Sequence, residues 1–172
     1  MFQNDGLVQI YYFKEKNNFI MIQRLLLFGL LNFGALAIGG LFTGPGVTSD
    51  WYQGLNKAPW TPPGWVFGAA WTTIMVCFSI FMTLVYPKVE NKSVFIGLYA
   101  LQLVLNIAWN PVFFKFQNPL LGLILISSLT VLVAYFLFGY LKDFKLTILL
   151  VLPYFLWLVI ATSLNAFVLF KN

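Results

Sequence analysis

Gln102, Asn106 and Asn110 recur at intervals of four in a segment that is otherwise apolar, with Trp109 beside them. At helical spacing these amides form a stripe along one face. Pro153, Trp157, Ala161 and Asn165 repeat the interval further on, with Thr162 adjacent, and Phe67, Trp71 and Met75 repeat it earlier. Amides in hydrocarbon are costly without partners, so such faces turn toward protein rather than lipid. Three of them facing one another make a pocket with aromatic walls, a few amide donors and a small-residue floor at Ala161. The same residues also serve a plainer end, interhelical hydrogen bonds worth about 0.6–2 kcal/mol each. Spacing leaves both readings open.

Other chemistry lacks material. There is no histidine, so the commonest general base and the commonest haem or zinc ligand are both missing. The single cysteine, Cys77, allows no internal disulfide and no cysteine metal cluster, and reads as a small buried apolar residue. No acid falls inside an apolar run, which removes the usual proton-coupling carboxylate of a pump. No glycine-rich phosphate loop is present. Conventional catalytic residues, a metal site and a required cofactor are therefore not expected.

A second cluster lies in the connection Asp50-Trp51-Tyr52-Gln53-Gly54-Leu55-Asn56-Lys57-Ala58-Pro59-Trp60-Thr61-Pro62-Pro63-Gly64-Trp65, followed by Trp71. Four of the six tryptophans and three prolines fall here. Proline fixes φ and removes a donor, so a stiff, non-helical loop is expected. Aromatics on such a loop anchor it in the membrane interface, cover a pocket, or both.

The elements that must position these groups are membrane helices. Apolar residues make up 60% of the 172-residue chain and charged residues 9%, with a mean hydropathy of +0.85. Roughly 20 apolar residues cross the hydrocarbon core. The uncharged runs give five spans, approximately 23–42, 65–86, 93–114, 119–140 and 146–170. A transmembrane barrel would alternate apolar and polar residues, and these runs do not. The expected fold is all-α, an integral membrane bundle of five transmembrane helices in one domain over residues 22–172. Short breaks make consecutive helices antiparallel neighbours. Residues 1–21 read either as a short cytoplasmic tail or as a segment ahead of a start at Met21, and no function is assigned to them.

Lys14, Lys16, Arg24, Lys88, Lys92, Lys142 and Lys145 fall on one side of this topology, against Lys57, Lys115 and Lys171 on the other. Positive-inside counting puts the N-terminus inside and the tryptophan loop outside, for a bacterial plasma membrane. The net charge of +5 then matches topology and anionic headgroups, with no case for nucleic acid.

Several motifs occur in order along the chain. They are Trp51-Tyr52-x-x-Leu55-x-Lys57; Trp60-x-Pro62-Pro63 with Trp71; Asn106-x-x-Trp109 before Pro111-x-Phe113-Phe114; and Pro153-Tyr154-x-x-Trp157-x-x-x-Ala161-Thr162-x-Leu164-Asn165. Over residues 25–172 the chain resembles the translocator protein / tryptophan-rich sensory protein family, also called the peripheral benzodiazepine receptor family. The resemblance implies a five-helix bundle that binds porphyrins such as protoporphyrin IX beneath the first loop. By position, Trp51 and Tyr52 would belong to the lid and Trp71 to the second helix's pocket wall. Asn106, Trp109 and Asn110 would contribute from the third helix, and Trp157, Ala161 and Asn165 from the fifth. Porphyrin propionates would seek Lys57 or backbone donors near the loop. The resemblance also implies a homodimer, and Ala35-x-x-x-Gly39 or Gly97 with Ala100 would permit close helix packing.

Two departures stand out. The family's Lys-Pro-x-Trp is here Lys57-Ala58-Pro59-Trp60, and the stretch Leu164 to Lys171 lacks the tyrosine of the sterol-recognition pattern. Sterol binding is not predicted. Three functions fit: a tetrapyrrole-binding receptor or regulator, a porphyrin transporter, or light-dependent porphyrin breakdown with Trp71 and Trp157 as participants.

Overall fold

The computed structural model describes the backbone from Asn4 to Asn172 and side chains from Lys14 onward. Helix α1 (Asn4–Val47) leads by a one-turn helix α2 (Asp50–Gly54) to α3 (Gly64–Val85). Then come α4 (Lys92–Asn110), a π turn (Pro111–Lys115), α5 (Pro119–Gly139), α6 (Leu141–Phe144), a 3-10 turn (Lys145–Leu150) and α7 (Leu152–Lys171). Five of these helical segments are long and apolar enough to cross a membrane, and the described residues contain no strand. Residues 1–3 lie outside the described residues. From Asn4 the backbone of the N-terminal segment is helical and runs unbroken into the first span.

Local chemistry accounts for the breaks. Asn91 Oδ1 accepts the Val94 N–H at 3.0 Å and Asn118 Oδ1 accepts the Leu121 N–H at 2.9 Å, capping α4 and α5. Pro119 follows its cap as the first residue of α5, where its missing N–H costs nothing.

Three expected elements differ in detail. The third span is not one α-helix to residue 114. Pro111 has no N–H to continue the ladder, and the chain passes into a π turn closed by Phe116 N–H to the Pro111 carbonyl at 2.9 Å. The fifth span is entered by a 3-10 turn, with the reversal made at Lys145 (φ 35°), before α7 starts next to Pro153. The first connection is not wholly non-helical. Ser49 Oγ accepts the Tyr52 N–H at 3.3 Å and caps α2, because all three prolines lie downstream of it.

The half of the bundle away from the tryptophan loop is solid. Phe78 packs on Phe81, Tyr99, Phe136 and Tyr154, with ring centroids 5.4–6.1 Å apart. A polar knot crosses it: Asn32 Nδ2 donates to Ser79 Oγ at 2.8 Å, and Tyr99 OH donates to Asn32 Oδ1 at 3.0 Å. It joins α1, α3 and α4. Arg24 sits over the Tyr86 ring, 5.8 Å from its centroid, marking the end of the bundle away from the tryptophan loop.

Small residues set how closely helices approach. Ala35 and Gly39 are buried within this chain, and a Cβ on Gly39 would lie 2.6 Å from Asn110 Nδ2. That pair therefore serves internal packing and is not available to a second copy, contrary to the expectation for it. Gly97 and Ala100 are exposed on the outer face of α4.

Candidate functional site

The half of the bundle next to the first loop is hollow. Beneath the first loop lies a cavity of about 820 Å³, walled by the loop-proximal ends of α1, α3, α4 and α7. Small-molecule sites occupy roughly 300–1,000 Å³, and this cavity falls within that range.

The predicted site residues separate by role. Tyr52, Trp71, Asn106, Trp109, Asn110, Trp157, Ala161 and Asn165 all line the cavity. Trp51 does not. It packs from behind on Phe113, with ring centroids 5.5 Å apart, because it occupies the side of α2 facing the π turn. Gln102, on the same stripe as Asn106, is fully buried below the cavity and donates to Tyr154 OH at 2.7 Å. Its Oε1 has no partner. Met75 is core, and Thr162 pairs with Thr130 at 2.9 Å between α7 and α5.

The polar groups on the wall are not equivalent. Trp109 Nε1 donates to Asn165 Oδ1 at 3.0 Å, and Asn165 Nδ2 donates to the Pro119 carbonyl at 2.8 Å. Asn110 Oδ1 accepts from Thr43, and its Nδ2 donates to the Asn106 carbonyl at 3.0 Å. In both amides the oxygen and the nitrogen each have a protein partner. The Asn106 side chain makes no hydrogen bond among the described residues, although it lines the cavity. It is the amide left free to meet a guest.

The walls are aromatic. Phe67 meets Trp157 edge to face at 5.2 Å, Trp71 meets Tyr154 at 6.0 Å, and Trp109 stacks on Phe113 at 5.2 Å with planes 15° apart. The π turn aims Phe113 and Phe114 inward. Gly46 of α1 admits Phe114, since a Cβ there would lie 2.5 Å from its ring.

Among the described residues, Lys57 is the one charged side chain on the cavity wall. Its Nζ donates to the Gln53 carbonyl at 3.3 Å and lies 4.8 Å from the Tyr52 ring centroid. Burial pushes the Tyr52 phenol up from its ordinary value, so the cation rests on a neutral ring near neutral pH. Trp60 and Trp65 are largely exposed beside the mouth, and Trp60 Nε1 donates to Ser163 Oγ at 3.1 Å.

Sequence reasoning missed Phe113, Phe114, Phe67 in its pairing with Trp157, and the lining threonine Thr43. The motif Pro111-x-Phe113-Phe114 was the available signal for the first two, since a proline after a polar helix face marks a local change in helix phase.

A family model described as the TspO/MBR family matches residues 27–170. The chain belongs to the TspO/MBR family. It is similar to the tryptophan-rich protein TspO of Archaeoglobus fulgidus, 36% identical over 128 residues that cover 74% of this chain and 82% of the relative. It resembles the tryptophan-rich sensory protein of Cereibacter sphaeroides at 33% over 132 residues, covering 77% and 81%. The human translocator protein is 36% identical over 124 residues, covering 67% and 70%. With five apolar helices, this TspO/MBR protein is a multi-pass membrane protein.

Proposed function

We propose that this protein is a membrane receptor or regulator that binds a tetrapyrrole of the protoporphyrin IX type in the cavity beneath its first loop. The observation that carries the reading is the free Asn106 amide set among aromatic walls, in a cavity of about 820 Å³ with Lys57 at its rim. A flat conjugated ring gains from Trp71, Trp157 and the Phe67 edge. Asn106 offers its amide N–H groups and its carbonyl oxygen toward a ring nitrogen or a polar substituent. Lys57 supplies a counter-charge for a propionate at the aqueous edge. Trp51 acts at one remove, by holding Phe113.

In this reading no resident cofactor is needed; the porphyrin is the ligand. The membrane is a bacterial plasma membrane, with the first loop outside and Arg24 near the inner surface. The chain forms a homodimer, for which the exposed Gly97 and Ala100 offer close packing, and lipid is its other partner.

The test is a dark titration of purified protein with protoporphyrin IX, followed by tryptophan quenching. Wild type is expected to saturate at micromolar concentration or below, and Trp157→Phe with Asn106→Leu to weaken binding at least several-fold. Equal, unsaturating quenching in both would sink the proposal.

A second reading is favoured by Trp71 and Trp157 facing the same cavity: light-dependent porphyrin breakdown. Loss of the Soret band in light that persists after both become Phe would end it. Transport is tested separately, by porphyrin flux in proteoliposomes.

A further inference from the structure

The first loop reaches α7 through contacts that ligand recognition does not require. The Asn56 backbone N–H donates to Asn172 Oδ1 at 2.8 Å, and Asn56 Nδ2 donates to the Lys171 carbonyl at 3.2 Å. Asn172 Nδ2 returns a bond to the Asn56 carbonyl at 3.4 Å and also donates to the Val168 carbonyl at 2.9 Å. The last carbonyls of a helix lack intrahelical donors. Here a loop amide serves one of them and ties the loop to the helix end.

The rest of the loop is held at its two flanks. On one side Trp51 and Tyr52 pack on Phe113 and Phe114. On the other, Trp60 packs on Phe167 at 5.4 Å and bonds Ser163. Between them, among the described residues, Asn56 makes the side-chain and backbone bonds that cross the mouth to α7. Its neighbours Gln53, Lys57 and Ala58 line the cavity.

We propose that Asn56 and Asn172 form a latch. They are positioning residues that hold residues 55–58, Lys57 among them, over the aqueous mouth of the cavity, so that exchange past the loop requires this amide pair to part. Its role in ligand residence rests on the binding reading above. The bonds are exposed, and exposed hydrogen bonds contribute little net stability. The latch therefore opens often without unfolding the bundle, and its loss changes rates more than stability.

The experiment uses the full chain in lipid nanodiscs, in a Cys77→Ser background. Leu164 lines the cavity from α7, and Leu164→Cys places a thiol inside it. Its reaction with a polar maleimide reports lid opening without any ligand. Asn172→Ala removes both bonds to Asn56 and is expected to speed labelling at least threefold. Asn172→Asp keeps the acceptor, loses the donor and is expected to fall between. Asn56→Ala, which removes only the bond to the Lys171 carbonyl, is a milder second test should either Asn172 variant fold poorly. Dark release of protoporphyrin IX is expected to quicken at least threefold in Asn172→Ala with association little changed. Labelling unchanged in all three variants would overturn the latch, even if release quickened. Faster labelling with unaltered release of a saturably bound porphyrin would overturn its role in residence. Faster labelling where wild type binds no porphyrin saturably would sustain the latch and refute the ligand.

Discussion

Trp109 on α4 donates its indole N–H to Asn165 Oδ1 on α7 at 3.0 Å, and Asn165 in turn donates to the Pro119 carbonyl at the start of α5. One amide thus ties three helices at the cavity wall. A Cβ on Gly122 of α5 would lie 3.0 Å from the same oxygen, so the helices meet closely at this point. Asn165 is a pin, while Asn106, one turn below Asn110 on the facing helix, is free.

That contrast separates two substitutions of similar size. Asn165→Leu strands the Trp109 N–H and removes the tie to the Pro119 carbonyl, and should cost about 1–3 kcal/mol of stability. Asn106→Leu breaks no side-chain bond and should cost less stability than Asn165→Leu while weakening porphyrin binding several-fold. Denaturation in detergent, paired with dark titration, checks both. Equal effects of the two on stability would refute the division.

Gly46 and Gly40 form a second pair. Gly46→Ala drives a methyl into the Phe114 ring at 2.5 Å and should cost about 1–3 kcal/mol. Gly40 has nothing within 4 Å of its would-be Cβ, and Gly40→Ala should be neutral or stabilising by up to about 1 kcal/mol, from helix propensity. Thermal unfolding of the two variants provides the comparison, and a milder effect at Gly46 than at Gly40 would contradict the packing.

The polar knot in the solid half of the bundle should show coupling. Tyr99 OH reaches Asn32 Oδ1, so Tyr99→Phe and Asn32→Ala remove the same bond. A double-mutant cycle on unfolding should give about 0.6 kcal/mol, and no more than about 1.7. Strict additivity would mean the bond does not contribute in the membrane.

Lys57 should read the charge of the guest. Lys57→Gln is expected to weaken a dicarboxylate porphyrin two- to tenfold, by an amount that shrinks as salt rises past about 0.15 M. A porphyrin diester should bind both proteins alike. Equal losses for acid and diester would assign Lys57 to lid packing on Tyr52 rather than to charge recognition.

The helices were legible because hydropathy is a property of a segment taken by itself. Runs such as 65–86 and 119–140 fall within one residue of α3 and α5 at each end. Breaks governed by local chemistry, such as the π turn at Pro111 and the cap at Ser49, were only half visible, since proline says that a ladder stops and not what replaces it. What the sequence by itself determined was a five-helix membrane protein, the face each polar stripe turns from lipid, and the family. Tertiary structure alone decided which of those stripes is solid and which hollow. Gln102, Asn106, Asn110 and Asn165 read alike at helical spacing. Yet Gln102 faces Tyr154, Asn110 faces Thr43, Asn165 faces Trp109, and Asn106 faces open space. An amide's role depends on the atom across from it, and that atom belongs to another helix whose approach is set by glycines such as Gly39 and Gly46.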